Sequence, residues 1–170
     1  MDIEAARAMS DADYETAIAM PRTDPAADAS TLDLKIWVRL LGCAKLIEKT
    51  LRRNFEVHFA TTLPRFDILA TLARNVDGLR MGELSRALLV SNGNVTSIVR
   101  QLQEQGLVHS AKAPDDARSA VVRLTPAGEE VFSELAQAHR HWVREAMKDF
   151  PEDQQRQLLE LLVQLRSSLS

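Results

Sequence analysis

Residues 82–106, GELSRALLVSNGNVTSIVRQLQEQG, decide the fold. They read as two short helices, 82–90 and 91–106, with little more than a turn between them at Val90–Ser91. Ser91 is a good N-cap, and Gly106 stops the second helix. Val95, Ile98, Val99 and Leu102 recur at spacings of three and four and form one apolar stripe. At about 100° per residue, the opposite face carries Gly93, Thr96, Ser97, Arg100 and Glu104, with Asn92 and Asn94 at the N-terminal end. That face has no large apolar side chain. It offers hydroxyls, amides and a guanidinium, the groups that read base edges: Arg on guanine, Asn on adenine, Ser or Thr on a base or a phosphate. Gly93 allows a close backbone approach, and the helix N-terminus favours a phosphate.

Just beyond, LVHSAK (107–112) and SAVVRLT (119–125) read as paired strands around the tip Pro114–Asp115–Asp116–Ala117–Arg118. A minimal hairpin turn favours Asn-Gly or Asp-Gly. This loop is longer than closure requires, so its tip is expected to touch something. Beside a helix that fills a major groove, Arg118 is placed to enter the adjacent minor groove, whose negative potential attracts arginine. Asp116 holds the guanidinium fork in position. Arg86, Arg100, Lys112, Arg118 and Arg123 make up the expected basic face.

The flanks read as helices. Ile36, Leu40, Ala44, Ile47, Leu51 and Phe55 predict a long helix over about 31–59, capped by Ser30 or Thr31. It outreaches the core of a small domain, so part of its apolar face is expected to meet a second subunit. TTLPRFDILATLAR (61–74) predicts the next helix, with Thr62 as cap, Pro64 in the first turn and a Phe66, Leu69, Leu72 stripe. NVDGLRM (75–81) reads as a turn. Thr125 caps and Pro126 starts a helix to about Lys148, with Val131, Leu135 and Trp142 on its apolar side. Pro151 begins the last helix, with Leu158, Leu161, Leu162 and Leu165 inward. The expected order is α-α-(short β)-α-α-β-β-α-α: mainly α with a small β-hairpin wing, a winged helix-turn-helix.

Length and charge bound the rest. The 170 residues suffice for one domain and a short appendage. Residues 1–30 hold seven acids against two arginines, net −5, and PRTDPAADAS (21–30) has linker composition. The other 140 residues hold 19 basic and 17 acidic groups, net +2, so an acidic extension masks a slightly basic body. The expected division is an extension over 1–30 and a domain over 31–170, with a DNA-binding lobe over about 62–125 and dimerisation helices over about 31–59 and 126–168. Cys43 is the only cysteine, no stretch has the form of a signal peptide, and no apolar run approaches a membrane span. The cytoplasm is the expected location. With no Gly-rich phosphate loop, nucleophile elbow or paired carboxylates in a defined context, an enzyme is disfavoured.

DDARSAVVRLTPAG (115–128) resembles the wing signature of the MarR-type winged-helix transcriptional regulators: Asp, any residue, Arg, an apolar strand ending in Leu-Thr, and a Gly three residues after the Thr. GELSRALLVSNGNVTSIVRQLQEQGLV is similar to the family's two DNA-binding helices. The resemblance covers roughly 31–170. It maps the wing arginine to Arg118 and its acid to Asp116. It implies a homodimer joined by N- and C-terminal helices, a palindromic operator in double-stranded DNA, and a small-molecule or oxidant signal. The chain departs from the pattern where Arg80 and Met81 replace the Ser or Thr that usually caps the first helix of the motif.

The resemblance also implies an effector pocket, for which Trp37, Val38, Leu41, Phe59, Leu63 and Phe66 supply an apolar lining and His58 and Arg65 polar anchors. That chemistry suits an aromatic carboxylate or its acyl thioester and makes a ligand-released repressor the expected function. Two alternatives remain: a redox-responsive regulator through Cys43, and a dimeric interaction module without DNA binding. Family members that sense peroxide pair such a cysteine with nearby tyrosines, but the one tyrosine here is Tyr14, in the extension. A buried cysteine is an inert small hydrophobe, which weighs against Cys43. His58, His109, His139 and His141 lack ligand spacing, so neither a metal nor any other cofactor is expected.

Overall fold

Spacing alone brings most elements to their places. The computed structural model describes residues 31–112 and 120–169; the acidic extension and the tip of the hairpin lie outside them. The helix read from the first apolar stripe is α1, Leu32–Phe59. Along that stripe only Leu51 and Phe55 are buried, Leu40 and Ile47 are half-buried, and Ile36 and Ala44 are exposed. The chain divides into two compact units, 1–48 and 49–170, and α1 contributes residues to both.

In the second unit, α2 (Leu63–Ala73) begins at Thr62, whose hydroxyl makes no capping bond, and carries Pro in its first turn, where the missing N–H costs nothing. Six of its side chains from Phe66 to Leu72 are buried, so it is the central element of the core. The sequence 75–81, expected as a turn, is a turn followed by a two-residue strand, β1 (Leu79–Arg80). Gly78 closes that turn at φ +80°, and its N–H donates to the Asn75 carbonyl at 2.7 Å. A Cβ on Gly78 would sit 2.5 Å from the side chains of Arg123 and Val121. Glycine therefore meets two demands here, the left-handed φ and the close approach of another strand.

Helices α3 (Met81–Leu88) and α4 (Asn92–Glu104) follow, then β2 (Val108–Lys112) and β3 (Ala120–Leu124). The sheet is antiparallel in the order β1-β3-β2, with Leu79 opposite Val122 and Ser110 opposite Val122 on the other side. Helices α5 (Pro126–Met147) and α6 (Glu152–Ser168) complete the chain. The core joins Phe55, Ile68, Leu69, Leu72, Leu84, Val95, Leu102 and Val122: three residues from α2, two from α4 and one each from α1, α3 and β3.

Helix α6 departs from expectation. Leu158, Leu161, Leu162 and Leu165 are not inward: no residue of α6 is buried, and Leu161 and Leu165 are 62% and 38% exposed. The periodicity identifies an apolar face but does not say whose atoms cover it.

Candidate nucleic-acid interface

The missing Ser or Thr before α3 is replaced from inside the helix. Arginine has no acceptor, so Arg80 cannot bond the free N–H groups of the first turn. The Glu83 carboxylate instead reaches back and accepts from the Arg80 N–H at 2.8 Å, which is half of a capping box. At the other end, Leu89 takes φ +55° and is 92% exposed. The buried Ser85 hydroxyl donates to the Val90 carbonyl at 2.6 Å and fixes the turn.

Helix α4 begins one residue after Ser91, which has the extended backbone of an N-cap while its hydroxyl makes no capping bond. Val95, Val99 and Leu102 are buried and Ile98 is half-buried, as the stripe requires. Gly93, Asn94, Thr96, Ser97 and Arg100 are exposed on the other side. The side chains of Asn92 and Lys112 lie outside the description, as do Asp116 and Arg118 altogether. Arg100 pairs with Glu104 at 3.1 Å, the two side chains 80% and 61% exposed. A pair so open to water is held by only a few tenths of a kcal/mol.

The C-terminal end of α4 is built with care. Gly106 at φ +71° donates to the Gln103 carbonyl at 2.9 Å, and the Leu107 N–H to that of Leu102 at 2.9 Å, a Schellman closure. The Thr125 hydroxyl donates to the Gly106 carbonyl at 2.7 Å and accepts from the Gly128 N–H at 3.0 Å. The Thr125 N–H donates to the Leu107 carbonyl at 3.1 Å. A Cβ on Gly128 would lie 2.0 Å from that carbonyl oxygen. The Leu-Thr-Pro-Ala-Gly run thus fastens β3 and the start of α5 to the end of α4, and so sets where the wing stands beside it.

The cations of the basic face separate by partner. Arg86 donates to the Gly82 carbonyl of its own helix at 3.3 Å and stays exposed. Arg123 is half-buried: its Nε–H donates to the Asp77 carbonyl at 2.7 Å and ties β3 to the turn before β1. Arg65 binds Thr61, Gln101 and Gln105.

Of the effector residues, Trp37 is exposed and Leu41 half-buried in the first unit. In the second unit, Leu63 and Phe66 are core side chains and Phe66 stacks on Phe55 at 4.9 Å. His58 and Phe59 are exposed and lie against the Trp142 ring at 5.8 and 6.0 Å. His139 was not among the expected site residues. It stacks on Phe66 at 4.6 Å, and burial first, then the Arg140 charge, hold its pKa below 6.5. Its place at i+4 from Leu135 and i−3 from Trp142 is the signal that would have found it. A cleft of about 450 Å³ opens at the α5–α6 elbow, lined by His139, Arg140, Val143, Arg144, Met147, Lys148 and Gln155. Cys43 is exposed, which removes the argument that a buried thiol is inert. No His/Cys/Asp/Glu group able to hold a metal occurs among the described residues.

A short helix, a tight turn, a helix with a polar outer face and a fastened hairpin define a winged helix-turn-helix DNA-binding protein. The sequence model of the MarR family matches residues 61–119. The chain is 36% identical over 134 residues to the transcriptional activatory protein BadR of Rhodopseudomonas palustris, 75% of each being covered. It superposes on a MarR family transcriptional regulator from Silicibacter pomeroyi with a TM-score of 0.72 at 31% identity, covering 84% of this chain and 99% of that one. With Sco3205 of Streptomyces coelicolor, solved in complex with DNA, the TM-score is 0.70 at 27% identity, covering 81% and 90%. The chain belongs to the MarR family: it is a DNA-binding transcriptional regulator and not an enzyme. Among the described residues, no helix is long and apolar enough to cross a membrane.

Proposed function

We propose that the domain over 31–170 acts as a homodimer in the cytoplasm, that it represses by occupying a palindromic operator, and that a small aromatic acid or its thioester releases it. The observation that carries the DNA half is the outer face of α4, exposed and polar from Gly93 to Arg100 while the inner stripe is buried. In this reading Ser91, Asn92, Asn94, Thr96, Ser97 and Arg100 meet the major groove. Lys112 and Arg118, the latter oriented by Asp116, serve the wing in the minor groove. The dimer is supported by the uncovered leucines of α6.

Arg65 and His58, beside Phe59, Leu63 and Phe66, are the proposed polar anchors for the effector. A gel shift with the chain's own promoter region tests DNA binding, and titration of phenolic acids and their thioesters against that complex tests release. Absence of any shift at micromolar protein leaves the interaction-module reading in its place. The exposure of Cys43 supports one competing signal. Release by peroxide that vanishes in Cys43→Ser would replace the aromatic effector with an oxidant.

A further inference from the structure

Apolar packing decides which face of α4 points inward but leaves its exact angle loosely set. Burial of Val95, Val99 and Leu102 fixes the depth of the helix and its inner side, whereas the hydrophobic effect is non-directional and resists only weakly a small rotation about the helix axis that exposes little apolar area. Hydrogen bonds are directional, and they gather at one end of α4. Gln103 Nε2 donates to Ser110 Oγ at 2.8 Å, and Thr125 holds the Gly106 carbonyl at 2.7 Å, both on the wing side. On the α2 side stands Arg65.

Arg65 lies in the first turn of α2 and is half-buried. Its Nε–H donates to Thr61 Oγ1 at 3.2 Å, its Nη1 to Gln101 Oε1 at 3.2 Å and its Nη2 to Gln105 Oε1. Gln101 of α4 and Gln105, its C-cap, are one turn apart on the same edge, so a planar, rigid fork spans both. Arg86 and Arg100 bond within their own helices, whereas Arg65 reaches residues 36 and 40 positions away. All three of its acceptors are neutral. We propose that Arg65 is the positioning residue of the recognition helix: by forking onto Gln101 and Gln105 it sets the fine angle of α4 about its axis, and with it the direction in which Asn94, Ser97 and Arg100 meet base edges. The proposal rests on the reading of α4 as the helix that enters DNA and is independent of any effector.

The test compares binding of the full-length chain to its own promoter duplex and to a random duplex at several salt concentrations. Arg65→Ala is expected to weaken the promoter complex about tenfold, the loss of hydrogen bonds made by a charged group. Affinity for the random duplex changes much less, and the slope of log affinity against log salt stays that of the wild type, because no phosphate contact is lost. The pair Gln101→Ala with Gln105→Ala reproduces this loss although the guanidinium remains, and combining all three changes costs no more than either set. Arg65→Lys, with charge but no fork, behaves like Arg65→Ala. Both glutamines are exposed, so the double variant folds even where Arg65→Ala does not. A slope lowered by about one unit in Arg65→Ala would make Arg65 a phosphate contact and overturn the proposal, as would wild-type binding by the glutamine double variant. Arg100→Ala, measured alongside, separates the two readings. If it too binds like wild type, the assignment of α4 fails; if it weakens binding while the Arg65 and glutamine variants do not, the positioning role alone fails.

Discussion

The clasp between α4 and the wing and the C-terminal helix α6 belong to one compact unit and could hardly differ more. At the clasp, Leu102, Val108 and Gly128 are buried, and main-chain groups of Gly106, Leu107, Thr125 and Gly128 find partners within the chain. Along α6 no residue is buried, and leucines recur at helical spacing with more than a third of each side chain open to water. A region whose polar groups are satisfied and whose apolar groups are covered is complete as a single chain. A leucine-rich face left partly to water is not, because each leucine forgoes part of the about 1.5–3 kcal/mol that full burial supplies. The clasp is thus finished by its own sequence, whereas α6 leaves an apolar face that the proposed second subunit would cover.

The most severe test of that contrast is to place charge on α6. Leu161→Glu with Leu165→Glu should give a monomer by sedimentation velocity that no longer binds the promoter duplex, with the core and its melting behaviour retained. A wild-type chain that sediments as a monomer at micromolar concentration would break the comparison from the side of α6.

The clasp is broken by a single methyl group. Gly128→Ala forces a Cβ against the Leu107 carbonyl, an overpacking that costs about 1–3 kcal/mol. Thermal unfolding should then shift down by about 2–4 °C per kcal/mol for a domain of this size. A wild-type midpoint would show that the clasp yields freely.

Arg100→Ala sharpens the comparison without touching the fold, since the Arg100–Glu104 pair is exposed and local. It should cost about 1–3 kcal/mol on the best operator and far less on random DNA. Arg118→Ala should weaken binding to all duplexes alike and lower the salt slope by about one unit. Competition binding at several salt concentrations distinguishes the two.

The smallest effect concerns pH. Burial and Arg140 hold the His139 pKa below its ordinary value of 6.5. As pH falls through 6.5, the unfolded chain takes up a proton that the folded chain refuses, so stability declines until pH reaches the lowered folded value. Denaturant unfolding at pH 7.5 and at pH 5.5 should show the loss, and His139→Phe, which keeps an aromatic ring against Phe66, should flatten it. An unchanged slope in that variant would assign the pH dependence to other groups.

Much of this was legible from local signals. The apolar stripe of α4, the Pro of α2 and α5, the helix-ending Gly106 and the Thr125–Gly128 run are each decided by bonds or sterics within a few residues, and the structure follows them to within one or two positions. The outer face of α4 was legible for the same reason, because helical geometry fixes which side chains oppose a buried stripe. Three things were decided only by tertiary structure. Arg123 reads in the sequence only as a cation of the basic face, and the bond of its guanidinium to the Asp77 carbonyl 46 residues away appears only in the fold. The leucines of α6 were read as inward, but periodicity encodes an apolar face and is silent about what covers it. Arg65 was read as an effector anchor, and its fork onto Gln101 and Gln105 exists only because α2 and α4 pack side by side. Local sequence sets what each helix can present; which atom it meets depends on distant segments, whose approach no short-range pattern records.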